Sequence, residues 1–212
     1  MTEDLTLYAD ASFASPWVFH AMVALEEKQL SYQLQAVPLP MTTEVAARFA
    51  STALLAEVPL LVHGALWLTE SLAISEYLAE RFPTPAHPRL FPADLAQRAR
   101  ARQLMSWLRT SLGALRSERP TTNVFGRPAV RPLGDAARAD AAELVRVASA
   151  LIAPGQTQLF ATWSIADADL ALALMRMIAS QDQVPTHLVD YALAQWDRRS
   201  IKRFVAHAPT TP

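Results

Sequence analysis

The chain contains no cysteine. That excludes disulfides, thiolate metal sites and a cysteine nucleophile of its own, so any thiol chemistry must use a thiol carried by a ligand. Nor does charge of one sign dominate. Nineteen Lys and Arg stand against 20 Asp and Glu, a formal net charge of −1, without the basic footprint of a nucleic-acid binder. The most apolar stretch, residues 165–178, is interrupted by Asp167, Asp169 and Arg176. It falls short of the ~20 residues that a membrane span needs and reads as a buried helix. The first ten residues lack the basic-then-apolar build of a secretory leader. The expectation is a cytoplasmic protein with no metal, no nucleic acid and no membrane among its partners. What is present is globular: 51% hydrophobic residues and 18% charged over 212 residues, enough for one large or two small domains.

The first part of the chain alternates between strand and helix patterns. Residues 5–9 read as a short buried strand, and residues 16–28 as a helix with Val18, Met22 and Leu25 on one face. Residues 31–37 alternate as a strand does, with Tyr32, Leu34 and Ala36 on one face. Residues 42–50 form a short helix. Two strands, 58–62 and 66–68, flank a tight turn at His63-Gly64-Ala65. Residues 70–82 form a helix with Leu72, Ile74, Tyr77 and Leu78 as its apolar face. The order βαβαββα predicts a mixed four-stranded sheet flanked by helices.

Residues 83–88 are proline-dense and read as a semi-rigid linker. No strand pattern follows. One long helix is expected over 93–117, with Leu95, Leu104, Leu108, Leu112 and Leu115 as its stripe. A proline-broken loop spans 118–134, and helices follow over 135–153, 165–179, 186–195 and 200–206. The expected division is residues 1–82, a linker over 83–92, and an all-helical domain over 93–212.

Four places carry chemistry. Ser15-Pro16 suits a helix start, Ser as N-cap and Pro in the first turn. The same geometry sets a hydroxyl in the positive end of a helix dipole, where a bound thiolate is stabilised. Val58-Pro59 opens a strand. Glu70-Ser71 opens a helix, which is ordinary helix-start chemistry and also a way to hold a ligand with adjacent carboxylate and ammonium groups. Ser164-Ile165-Ala166-Asp167 is a capping-box variant and reads as structural.

Together these residues resemble the cytosolic glutathione transferase family. The matching pieces are Ser15-Pro16-Trp17-Val18, Val58-Pro59-Leu60-Leu61, the run from Leu68 to Leu78, and Ser164 to Asp167. Further segments, such as Arg98-Ala99-Arg100-Ala101-Arg102-Gln103 and Glu118-Arg119-Pro120-Thr121, are similar to the bacterial YfcF-type branch. The resemblance implies a thioredoxin-like N-terminal domain and the helical C-terminal domain of that family. It implies glutathione as cosubstrate, with Ser15 donating to its sulfur, Val58 and a cis Pro59 holding its cysteinyl backbone, and Glu70 and Ser71 its γ-glutamyl end. It implies a second, electrophilic, peroxide or disulfide substrate near Phe13 and Trp17 of the first helix and Trp107, Thr110 and Arg119. It further implies a homodimer and a role in detoxification and oxidative stress. The alternative is a non-catalytic binding module of the same fold. A glutathione-dependent isomerase fits less well, since Ala14-Ser15-Pro16 lacks the Ser-Ser-Cys cluster of that branch. The family usually has a basic or amide residue before Val-Pro. This chain has Glu57, which leaves Lys28 or Arg48 as replacements for the glycine-carboxylate partner.

Overall fold

The computed structural model describes residues 4–128 and 130–208. They fall into two compact units that divide between Leu90 and Phe91.

The first unit follows the expected order: β1 (Leu5–Asp10), α1 (Pro16–Glu27), β2 (Tyr32–Val37), α2 (Thr43–Ala53), β3 (Leu60–His63), β4 (Leu66–Leu68) and α3 (Ser71–Arg81). The sheet runs β2-β1-β3-β4, with β1 parallel to β2 and antiparallel to β3. Strand alternation divides the core. Leu5, Leu7 and Ala9 are fully buried on one face, while Tyr8 on the other packs with Phe49, Leu60 and Trp67 against α2.

Three expectations change here. Residues Val18 to Leu25 of α1 are all buried, not a single stripe, because Ala21 and Ala24 leave the helix smooth on its remaining sides. In β2, Ala36 is exposed and Val37 is the buried residue, as befits a strand at the sheet edge. The proline-dense segment, expected as a semi-rigid linker, packs onto the first unit. The buried ammonium of Lys28 donates to the carbonyl of Phe82 at 2.5 Å, and a ring nitrogen of His87 meets the carbonyl of Lys28 at 3.1 Å. His87 also packs edge-on to Phe82, and Leu90 is buried.

The second unit is helical: α4 (Leu95–Thr110), α5 (Gly113–Glu118), α6 (Thr122–Phe125), α7 (Asp135–Leu151), α8 (Ile165–Ala179), α9 (Thr186–Trp196) and α10 (Arg199–Val205). Its core joins Leu104, Leu108, Leu144, Leu170, Leu174 and Tyr191. Helix α8 packs against α4, α6, α7 and α9, as a helix apolar all round must. The single long helix expected over 93–117 is broken. Ser111 is extended and Leu112 takes a left-handed φ of 59°. The turn buries Leu112 beside Leu108 and Leu115, and Arg116 donates back to the carbonyls of Leu108 and Arg109. Those carbonyls lie in the last turn of α4, where no helical partner remains. Leu95, expected on the buried stripe, begins α4 and is exposed. The expected loop of 118–134 contains α6.

Candidate functional site

One end of the sheet in the first unit gathers the chemistry. Tyr8 pairs with Leu60, so Pro59 and Val58, the residues just before, run beside the end of β1. Leu68 pairs with Leu61, so Thr69, Glu70 and Ser71 emerge on the same side. The loop leaving β1 returns at Ser15 to start α1. Two helix starts, α1 and α3, thus open at one end of the sheet beside the Val58-Pro59 segment. Each brings backbone N–H groups that have no partner within the helix.

Ser15 is the N-cap of α1. Its side-chain oxygen accepts from the N–H groups of Trp17 and Val18, each at 3.3 Å. The hydroxyl proton is left to donate outward. Val58-Pro59 is a cis peptide bond. Pro59 is buried and cannot donate to the ladder, which begins at Leu60.

Glu70 is exposed and its side chain caps nothing in α3. Its backbone sits at φ 68°, ψ 109°, a conformation that costs a non-glycine residue about 1–3 kcal/mol. The surrounding chain pins it: Ser71 and Thr69 are buried on either side, and Ile74 N–H closes on the Glu70 carbonyl at 2.9 Å.

Sequence reasoning missed Asp10. Its carboxylate is buried at the end of β1. One oxygen accepts from Ser12 Oγ at 2.6 Å and from Ala14 N–H at 2.8 Å, the other from Ser15 N–H at 3.3 Å. A buried carboxylate demands such donors, and here they shape the loop that delivers Ser15. The signal was legible: an Asp ending a strand, followed by small and hydroxyl residues before Ser-Pro, is turn chemistry.

The residues proposed for a second substrate are scattered in role. Phe13 lies before the helix, in the loop, with φ 47° and a buried ring, not on the first helix. Trp17 is half-buried in the first turn of α1. In the second unit, Trp107 lines a cleft of about 320 Å³ with Arg100, Leu104, Arg146 and Val147, between α4 and α7. Thr110 is exposed and donates to the Ser106 carbonyl. Arg119 is wholly buried. Its guanidinium is committed to Asp182 through two bonds of 2.7 Å and to the carbonyl of Arg131, an internal tie. Asp182 raises its already high proton affinity.

Lys28, proposed as a carboxylate partner, is likewise spent inside the fold. Burial, then Arg89, lowers its proton affinity. Arg48 lies over the rings of Phe49 and Trp67, 5.6 and 5.8 Å from their centroids. At the start of α8, Ser164 and Asp167 form a capping box. Asp167 also accepts from the N–H of Leu159 at 2.7 Å and from the hydroxyl of Tyr191 at 2.9 Å. Burial raises Asp167 above the usual carboxylate range. Among the described residues no group of His, Cys, Asp and Glu side chains is arranged to hold a metal ion, and no helix is long and apolar enough to cross a membrane.

A mixed four-stranded thioredoxin-like unit with this edge, followed by a helical unit, is the architecture of the glutathione S-transferases. The chain belongs to that family: residues 3–80 match the model of its N-terminal domain and residues 94–209 the model of its C-terminal domain. A solved glutathione transferase homologue from Burkholderia, with bound glutathione, is 32% identical. The match covers 97% of this chain and 98% of that one, at a TM-score of 0.78. A glutathione S-transferase from Rhodospirillum rubrum is 27% identical over 94% of this chain and 91% of that one, at a TM-score of 0.73. Among curated proteins, glutathione S-transferase U13 of Arabidopsis thaliana is 31% identical over 48% of this chain, and theta-1 of Bos taurus 33% over 41%. The matched stretches span 44% and 35% of those relatives' own lengths.

Proposed function

We propose that the protein is a glutathione transferase whose Ser15 hydroxyl holds the glutathione sulfur as a thiolate for attack on a small electrophile, a peroxide or a disulfide. The observation that carries this is the N-cap hydroxyl of Ser15, its proton free to point outward, at the end of the sheet shared by Val58-Pro59 and Glu70-Ser71. A chain without cysteine needs the sulfur of a ligand. The Burkholderia relative, similar along its whole length, was solved with glutathione bound.

The energetics suffice. A free thiol has a pKa near 8.5, so roughly 3% is thiolate at pH 7. Two units of lowering need about 2.7 kcal/mol of preference for the anion. A hydrogen bond to a charged group supplies about 1.5–3 kcal/mol, and the start of α1 adds about 0.3–1 kcal/mol. The backbone of Val58 pairs with the cysteinyl residue. Ser71 and the first N–H groups of α3 receive the γ-glutamyl carboxylate, and exposed Glu70 faces its ammonium. A homodimer in the cytoplasm is part of the same reading.

Replacing Ser15 by Ala tests it: turnover with glutathione and a chromogenic electrophile should fall at least about tenfold, with glutathione affinity changed less. Unaltered turnover removes Ser15 from the mechanism.

One observation favours a second reading, a binding module. Glu57 is exposed and acidic, the Lys28 ammonium is buried on the Phe82 carbonyl, and Arg48 lies over the rings of Phe49 and Trp67, which leaves the glycine carboxylate of glutathione poorly provided for. Calorimetry separates the readings: no heat and no thermal shift with millimolar glutathione selects the module.

A further inference from the structure

We propose that the groove between α4 and α7 binds a small planar aromatic carboxylate, held at one end by Arg100. On α4 positions 100, 103, 104 and 107 line it, and on α7 positions 143, 146, 147, 150 and 151. Those spacings put each set on one helical face. Both helices pack on α8, and Leu104, Trp107 and Val147 join the core beneath. Above it, exposed Ala150 offers only a methyl group and leaves the gap between the two faces unfilled. The space is about 320 Å³, of the size class that takes a small organic molecule.

The charges on its rims are unequally matched. On α7, Arg146 forks onto Glu143 through bonds of 2.7 and 2.6 Å, so that pair cancels itself. On α4, Arg100 donates through Nη1 to the neutral side chain of Gln103 at 2.5 Å. It meets no carboxylate among the described residues, and the rest of its guanidinium fork stays open. The groove therefore carries one uncompensated positive charge. Trp107 stands about two turns further along α4, half-buried, and its indole N–H has no acceptor among the described residues.

The occupant follows from these parts. An apolar floor beside the Trp107 ring takes an aromatic system. An open guanidinium fork takes a carboxylate through paired bonds. Arg100 and Trp107 lie about 10 Å apart along the helix axis, the span of two fused rings with a carboxylate at one end. An uncharged aromatic would fill the floor and leave Arg100 unmatched, so the charge selects the anion. The site lies wholly in the helical unit. It uses none of the residues proposed to hold glutathione, so a negative result here leaves the Ser15 reading untouched.

The test is calorimetry of 2-naphthoate with the full chain, in the absence of glutathione. One saturable site should appear, and the neutral 2-naphthalenemethanol should bind about tenfold more weakly. Arg100→Gln should lose about five- to tenfold in affinity for the carboxylate and change little toward the alcohol. Ala150→Phe, which fills the groove, should abolish binding of both. Arg138→Gln, on α7 outside the groove, should leave both alone. Arg100 and Ala150 are exposed, so both variants should fold. No binding by the parent chain, or binding undiminished in Arg100→Gln or Ala150→Phe, overturns the proposal. Displacement of 2-naphthoate by glutathione also overturns it, because the anion then sits in the first unit. So does a dimer that Ala150→Phe splits into monomers in sedimentation, because the groove then belongs to a second copy.

Discussion

A buried carboxylate that touches no substrate sets the position of the proposed thiolate ligand. Asp10 collects the hydroxyl of Ser12 and the N–H groups of Ala14 and Ser15, and thereby fixes the loop between β1 and α1. Changing Asp10 to Ala leaves those donors unmatched and should cost about 2–3 kcal/mol of stability, read from urea unfolding, with weaker glutathione binding by calorimetry. Glu70 makes the opposite case. Its left-handed backbone is tolerated at a cost, so Glu70→Gly should stabilise the fold by about 1 kcal/mol or more while reducing affinity for the γ-glutamyl group. A gain in stability with affinity intact would detach the strain from binding. Of these two residues only Glu70 stood out in the sequence, through the Glu-Ser pair. Its backbone angle has no signature in residue type, whereas Asp10 carried one that went unread, a strand-ending Asp ahead of small and hydroxyl residues.

At the scale of elements, the capping box of α8 gathers more than a helix end. Asp167 serves Ser164, Leu159 and Tyr191 together, tying the preceding loop and α9 to the central helix. Asp167→Ala should cost about 2–4 kcal/mol, beyond an ordinary cap, because Tyr191 and two backbone N–H groups lose their acceptor; thermal and urea melts check this. The motif and the 165–179 span of α8 were both legible, since four consecutive residue types and an apolar run mark them. The whole βαβαββα order was legible for the same reason: periodicity is local information. The break of α4 at Leu112 was not. Its leucine pattern continues unbroken through the kink, and what ends the helix is a tertiary choice, Leu112 buried in a left-handed turn with Arg116 taking the free carbonyls. Arg119 misled in the same way. An arginine in a proline-broken loop reads as a surface group, and only the folded chain brings Asp182, 63 residues away, to meet it.

For the molecule as a whole, Lys28 sets a pH dependence. Its folded-state proton affinity is below the ordinary lysine value of 10.5, by burial first and Arg89 second. Between the lowered value and 10.5 the unfolded chain binds more protons, so stability rises with pH across that window; the contribution is full above 10.5 and lost as pH falls through the folded value. Lys28→Met removes it. The stability of the parent chain relative to that variant should therefore climb on passing from neutral pH toward 10.5, measured by urea titrations at stepped pH; a constant difference refutes the assignment. A different economy governs the proposed catalytic edge. Asp10 belongs to the last rung of the sheet, so Ser15 inherits its place from strand pairing and not from the helix it begins. When the first turn of α1 frays, that anchor stays standing. The turn re-forms on the same spot, with the hydroxyl of Ser15 back at the place where the proposed thiolate is held.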